Sequence, residues 1–374
     1  MIPRIYSDLA KYLIPNKVLV IYGPRRVGKT VLLTNFLKQS GLKTKLVNGD
    51  DILVQEVFNS QSVDHIRRYT EGYELIAVDE AQNIENIGLG LKILVDSVPG
   101  IKVIATGSAS FELANRVGEP LTGRQTTLRL YPVAQLELLK QFNKSELAQK
   151  KEEYLVYGSY PEVLSTDILQ KRAGYLHELV NAYIFKDILT LEQVKGSKVL
   201  LDLLRLVAFQ VGSEVSLNEL SLNLRIDVKT VGRYLDLLEK AFVLINLRGF
   251  SRNLRSEIKE KSKYYFYDNG IRNAVINNFN PLNLRDDVGK LWENFLVIER
   301  IKKQNYQSIF ANNYFWRTWE QKEVDFVEER EGKLFAYEFK YSTKQSKPPK
   351  EFLEAYPNSE FKVVTSENYL DFIA

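Results

Sequence analysis

The sequence predicts an α/β protein with a parallel sheet in its first third, a helical middle and a second α/β region at its C-terminal end. Three observations predict it. Short β-branched runs alternate with helically spaced apolar residues over the first 130 positions. A glycine-rich phosphate motif stands between the first such run and the first helix pattern. After a long helical stretch, a helix and two strand-like runs return near the C-terminus.

The chain of 374 residues is too long for one ordinary core, and its length suggests about two to three domains. An apolar fraction of 45% with 26% charged residues is that of a folded globular protein. A net charge of +4 is small for this length, so nucleic-acid binding has to rest on local clustering of charge. The absence of cysteine excludes disulfides and thiolate metal sites, and His65 and His177 alone give no basis for a multi-histidine zinc centre. Asp8 and Lys11 interrupt any signal-peptide core, and no apolar stretch approaches the roughly 18 residues that a membrane span needs. The expectation is a cytoplasmic protein with no membrane partner.

In order along the chain, residues 17–22 form a strand by their β-branched run and glycine stop, and residues 31–39 a helix with Leu32, Leu33, Phe36 and Leu37 on one side. Residues 43–47, 75–78 and 102–105 are further buried strands, and strands alternating with helices imply a mostly parallel sheet. The pattern from 132 to 194 is helical, as is 198–211. Residues 288–303 read as a helix, and 323–327 and 334–339 as strands, while 345–350 is a local loop.

The segment Gly23-Pro24-Arg25-Arg26-Val27-Gly28-Lys29-Thr30 satisfies GxxxxGK[ST] at every fixed position, after a strand and before a helix. Its glycines let backbone N–H groups approach phosphate oxygens, and the helix N-terminus favours anions. The cradle runs from Gly23 through Val31. Lys29 is expected at the β- and γ-phosphates, and the Thr30 hydroxyl on Mg²⁺. An apolar strand then delivers Asp79 and Glu80 at its C-terminal end, where ligands bind in open α/β sheets. Asp79 is expected to hold Mg²⁺, and Glu80 to orient or deprotonate the attacking water. Ser108, in Thr106-Gly107-Ser108 after the next strand, is a candidate for the γ-phosphate or the water, with a plain strand-ending turn as the alternative. Of Arg116, Arg124 and Arg129, Arg124 is favoured as an arginine finger, a solvated arginine being the competing reading.

Taken together, Gly-Pro-Arg-Arg-Val-Gly-Lys-Thr, Val-Asp-Glu-Ala, Thr-Gly-Ser-Ala-Ser, Leu-Thr-Gly-Arg and Tyr-Pro-Val resemble the prokaryotic AAA-type ATPases. The later strings Tyr157-Gly158-Ser159-Tyr160-Pro161-Glu162 and Tyr267-Asp268-Asn269-Gly270 fit the same resemblance, which covers essentially the whole chain. It implies an AAA-type ATPase domain over 1–131, a helical lid over 132–195, a winged-helix-like region over 196–267 and a restriction-endonuclease-like domain over 268–374. ATP rather than GTP is the nucleotide it implies.

The middle carries its own signals. Ser216-Leu217-Asn218-Glu219 is a capping box, and Leu217, Leu220 and Leu224 face inward on the helix it starts. Arg225-Ile226-Asp227 is a turn, and Asp227 caps a second helix with Val228, Val231, Leu235 and Leu238 apolar, which is helix-turn-helix spacing. Residues 243–247 and 264–267 are expected to be the strands of a wing, with Arg248, Arg252, Arg255, Lys259, Lys261 and Lys263 between or beside them to meet phosphates. The alternative is a packing module with a solvated basic loop.

At the C-terminal end, Glu338 and Lys340 share one strand face, and Asp325 can meet them from the neighbouring strand. Two carboxylates there suit Mg²⁺, and Lys340 can steady a nucleophile or developing charge. The set resembles the D…ExK core of restriction-endonuclease-like folds, with Glu293 as the added helix acid. Tyr314, Trp316 and Trp319 nearby are read as core rather than base-stacking residues. The function expected is ATP binding and hydrolysis coupled to DNA binding, and to Mg²⁺-dependent DNA cleavage. The alternative is a nucleotide-dependent switch on a protein partner, with an inert C-terminal domain. Whether the chain forms a homo-oligomer stays open.

Overall fold

The computed structural model describes residues 2–108, 121–184, 197–251, 262–318, 320–343 and 346–374. The chain divides into two compact units, residues 1–132 with 240–242, and residues 133–239 with 243–374.

The first unit is built on strands β1 (Val18–Tyr22), β2 (Thr44–Asn48), β3 (Leu75–Asp79), β4 (Lys102–Gly107) and β5 (Gln125–Arg129). They lie in the order β2-β3-β4-β1-β5, and every neighbouring pair is parallel. Parallel neighbours need crossovers, and the helices Lys29–Gln39, Ile52–Asn59, Val63–Thr70 and Ile87–Ser97 stand between the first four strands in sequence. Such a sheet is covered on both faces, which is why β3 reads as an unbroken apolar run and is buried along its whole length. Val18, Val20, Ile76, Val78, Val103 and Ala105 of the strands pack with Phe58, Ile66, Leu91 and Leu94 of the helices. The Asp51 side chain accepts from Leu53 N at 2.9 Å, capping one helix start, and Ser62 does the same for the next. The polar run Gln-Thr-Thr-Leu-Arg of β5 gave no apolar signal because β5 is an edge strand whose only buried side chain is Leu128.

The second unit holds β6 (Leu244–Gly249), β7 (Ser262–Phe266), β8 (Asn312–Arg317), β9 (Glu323–Arg330), β10 (Lys333–Lys340) and β11 (Glu360–Thr365) in the order β11-β10-β9-β8-β6-β7. The expected wing strands do pair antiparallel as β6 and β7. However, β6 also pairs in parallel with β8, from Arg248 opposite Tyr314. The hairpin is therefore part of the C-terminal sheet, and the expected boundary at 267 runs through a single hydrogen-bonded layer. The long helix Val288–Tyr306 buries Leu291, Trp292, Phe295, Leu296 and Ile298. Asn294 on that helix ties down β7, accepting from Phe266 N at 2.7 Å and donating to Phe266 O at 3.0 Å. Phe250, Trp316, Val324, Val327, Leu334 and Phe352 form a further cluster, so Trp316 is core, while Trp319 lies outside the described residues.

Three helices precede the hairpin, Ser197–Phe209, Leu217–Leu224 and Val228–Lys240. Ser216 and Asp227 cap the second and third as their spacing predicts, Asp227 accepting from Thr230 N at 2.9 Å. Arg225 takes a left-handed conformation, φ 54°, in the turn between them. Arg252, Arg255, Lys259 and Lys261 lie outside the described residues.

The strings 157–162 and 267–270 prove to be two halves of one lock. The buried Asp268 carboxylate caps the helix Asn269–Val275 by accepting from Gly270 N at 2.8 Å, and its other oxygen accepts from Ser159 N at 2.7 Å. Position 158 must be glycine, since a Cβ there would lie 1.9 Å from Asp268 Oδ1. Burial raises the Asp268 carboxyl to about 6, against the pull of Lys302 and the backbone donors.

Candidate functional site

The phosphate motif follows β1 and opens the helix Lys29–Gln39, at the C-terminal edge of the parallel sheet. Gly23 is obligatory, because the end of β5 passes so close that a Cβ would stand 1.9 Å from Leu130 O. Gly28, left-handed at φ 95°, turns the chain into the helix. Pro24 and Val27 are buried, Arg25 half-buried, and Arg26, Thr30 and Val31 exposed. Lys29 is 5% exposed, and its ammonium folds back over the loop to donate to Gly23 O at 2.9 Å and Pro24 O at 2.8 Å. Both acceptors are neutral carbonyls, which a phosphate oxygen would outcompete.

The acidic partners assemble as the sequence predicts. Asp79 ends β3, and its Oδ2 accepts from the Thr30 hydroxyl at 2.8 Å. Its Oδ1 accepts from the hydroxyl of Thr106 at the end of β4. A threonine hydroxyl facing an aspartate across the mouth of a phosphate loop is the hard-oxygen pair that Mg²⁺ takes, so the residues fit that ion. Glu80 follows at a left-handed φ of 50°, its N–H bonded to Thr106 Oγ1 at 3.2 Å. Ser108 is buried at the end of β4, on the same edge.

Arg124 is a correction. β5 runs parallel to β1 with Gln125 opposite Val18 and Arg129 opposite Tyr22, so Arg124 sits at the N-terminal edge of the sheet. That is about 16 Å of strand away from the phosphate motif. It pairs there with Asp96 at 2.7 Å, and it cannot serve the site of its own chain. Arg129, at the correct edge, bonds the Tyr22 hydroxyl at 2.9 Å. Arg116 lies outside the described residues. Sequence reasoning missed Arg4, which donates to Val27 O at 2.7 Å and Tyr131 O at 2.6 Å and so braces the loop from the N-terminus. Nothing local in the sequence marks that role. It also missed Gln82, which bonds both Glu80 and Ser108.

In the second unit Glu293, Asp325, Glu338 and Lys340 do converge. Asp325 on β9 accepts from Phe339 N of β10 at 2.7 Å, and Lys340 Nζ donates to Glu338 Oε1 at 2.6 Å. Loss of water pushes the Asp325 carboxyl well up, and the neighbouring Glu293 and Glu338 charges push it further. Partial burial works to lower the Lys340 ammonium, but the bond to Glu338 and the charges of Glu338, Asp325 and Glu293 together hold it above the ordinary lysine range. Glu293, however, is committed elsewhere: it accepts from the Tyr265 hydroxyl at 2.6 Å and pairs with Lys263 at 3.3 Å. Lys263 is 1% exposed and also bridges to Glu323. Among the described residues no three acidic groups stand close enough to share one metal ion. The expected three-carboxylate set is therefore corrected to two, Asp325 and Glu338, because an ammonium already neutralises Glu293. Two carboxylates completed by water still suit Mg²⁺.

Comparison with known proteins sets the first unit apart and splits the second between two further families. Residues 15–139 match the AAA domain family, residues 133–282 a domain of unknown function (DUF8612), and residues 288–372 another (DUF4143). The match to the AAA domain family thus falls on the parallel-sheet unit that carries the P-loop motif. An uncharacterized protein of Haemophilus influenzae is 28% identical over 279 residues, covering 69% of this chain and 68% of that one. One from Methanocaldococcus jannaschii is 24% identical, covering 86% of this chain and 74% of its own. Among solved structures, AMPPCP-bound DnaA from Aquifex aeolicus aligns with 62% of this chain and 83% of its own at 18% identity and a TM-score of 0.30. A RuvB mutant from Thermotoga maritima aligns with 65% and 88% at 14% identity and a TM-score of 0.31. No described helix is long and apolar enough to cross a membrane.

Proposed function

We propose that the chain binds and hydrolyses ATP, and that the nucleotide state governs its engagement of DNA. The observation that carries the first part is the hydroxyl of Thr30 on Asp79 at 2.8 Å, beside Lys29 folded over the loop that opens the same helix. Thr30 and Asp79 would hold Mg²⁺, which supplies charge for the β- and γ-phosphates. Lys29 exchanges its two carbonyls for phosphate oxygens. Glu80 takes a proton from water as the water oxygen bonds the γ-phosphorus; the bond from that phosphorus to the bridging oxygen breaks, leaving ADP and inorganic phosphate.

DNA is the partner favoured for the second unit. Asn223, Arg225, Val228, Lys229 and Arg233 are exposed around the capped turn of a helix-turn-helix pair. The test is a gel shift with duplex DNA, with and without ATP, using wild type and a Lys229→Ala/Arg233→Ala variant. The expected result is a salt-sensitive complex that responds to ATP and is weakened in the variant. Equal mobility under every condition would transfer the role to a protein partner. A second reading adds Mg²⁺-dependent cleavage by Asp325, Glu338 and Lys340, favoured by their convergence on two neighbouring strands. Loss of plasmid nicking in Lys340→Ala checks it.

A further inference from the structure

Gln82 lies in a short turn, Ala81–Asn83, directly after the acidic pair, and is 4% exposed. A buried primary amide must spend its donors and acceptor on partners. Its Nε2 donates to Glu80 Oε2 at 2.5 Å and to Ser108 Oγ at 3.3 Å. Its Oε1 accepts from Ser108 N at 3.4 Å. One side chain thus joins the ends of two adjacent strands, β3 carrying the water-activating acid and β4 the serine that faces the phosphate edge. Glu80 itself is held at a left-handed φ of 50°, a conformation that a non-glycine residue keeps only where its surroundings fix it.

We propose that Gln82 is a positioning residue for hydrolysis, a relay that orients Glu80 and makes its pose depend on what Ser108 contacts. The geometry gives the reason. A carboxylate with Oε2 held by an amide can rotate only about that bond, so Oε1 is aimed. A phosphate oxygen that accepts from the Ser108 hydroxyl turns that hydroxyl, whose oxygen accepts from Gln82 Nε2, and any shift of the amide is passed to Glu80. This rests on the ATPase reading above.

The test uses the full chain with Gln82→Met, which keeps the volume and removes both hydrogen-bonding ends, Ser108→Ala, and the double variant. Phosphate release gives kcat and KM, and binding of a non-hydrolysable ATP analogue is measured separately. Gln82→Met is expected to lower kcat by about tenfold, less than the roughly 100-fold or more that loss of the acid–base group itself would cost, because Glu80 stays in place. Analogue affinity should stay within about twofold. In a relay the double variant is no worse than about the poorer single one, because both substitutions cut the same connection. Gln82→Asn, which keeps the amide but shortens its reach, should lose a similar factor and stands in if the methionine variant does not fold. An unchanged kcat, a product of independent losses in the double variant, or a fall in analogue affinity equal to that in kcat would overturn the relay. Absence of hydrolysis in the wild type overturns the ATPase reading itself and the relay with it, whereas active wild type with an equally active Gln82→Met overturns the relay alone.

Discussion

The two units treat their carboxylates in opposite ways. In the first, Asp79 is met on each oxygen by a threonine hydroxyl, and the lysine of the site rests on carbonyls. These are neutral contacts that a charged ligand can replace. In the second, burial raises the carboxyls of Asp268, Glu293, Glu299 and Asp325, and the chain answers with its own buried ammonium groups, Lys263 and Lys302. The first arrangement is made to accept charge from outside. The second has already supplied its own counter-charge at Glu293 and Glu299, through Lys263 and Lys302.

The largest expected effects test whether the two sites are chemically separate. Lys29→Ala should lower ATP hydrolysis by at least about 100-fold, the scale for losing a preorganised charge at a transition state. Lys340→Ala should leave that rate within about twofold while any DNA cleavage falls by a similar 100-fold. A parallel fall of hydrolysis in both variants would dissolve the separation.

A smaller effect concerns the lock at Asp268. Its folded carboxyl titrates at about 6, above the ordinary aspartate value, so the native state binds the proton more tightly. Its contribution to stability is fully present below the unfolded value and is lost as pH rises through about 6, amounting to roughly 3 kcal/mol for a shift of this size. Asp268→Asn does not titrate and keeps an acceptor for only one of Ser159 N and Gly270 N, turning an amide donor toward the other. It should be less stable than wild type at pH 4, with the gap narrowing by that amount above pH 6. Tryptophan fluorescence during denaturation reads this unit alone, because Trp292, Trp316 and Trp319 all belong to it. A gap that is constant with pH would mean that Asp268 is ionised throughout.

Asp325 should behave differently. Burial and two like charges raise its carboxyl, so its ionisation costs stability that is absent at low pH. Asp325→Asn keeps an acceptor for Phe339 N and should raise the melting temperature at pH 8 by about 2–4 °C, with no gain at pH 4. A lower melting temperature at pH 8 would make the cluster a structural ion network in which Lys263 and Lys340 already compensate the acid.

The nucleotide site was more legible in the sequence than the fold around it. Lys29, Thr30, Asp79 and Ser108 come together because phosphate chemistry ties residue type to strand ends, and local pattern reveals strand ends. Gln82 and Arg4 were invisible because a buried amide and a distant arginine carry no periodicity. The strands β8 and β11 were missed for a related reason. β8 buries only the consecutive Phe315 and Trp316, and β11 only Val364 and Thr365, so neither shows an apolar alternation. The joining of β6 to β8 is a pairing between segments far apart in sequence, which hydrophobic alternation does not encode.

Arg124 gives the smallest effect and the sharpest check on how position outranks motif. Leu121-Thr122-Gly123-Arg124 carries an arginine at a family-like spacing, yet β5 starts immediately after it, with Val18 N bonded to Arg124 O at 2.8 Å. The side chain therefore emerges at the edge of the sheet opposite the phosphate motif, paired with Asp96 and with each partner 42% exposed. An ion pair in that setting contributes about 0–1 kcal/mol. Arg124→Ala should leave hydrolysis by dilute protein within about twofold and shift the melting temperature by no more than a few degrees. If the loss of activity instead grows with protein concentration, wild type gaining a rate that the variant does not, then the arginine acts on a second copy of the chain. That outcome would make the first unit's site incomplete on its own, and the contrast with the self-neutralised second unit would deepen.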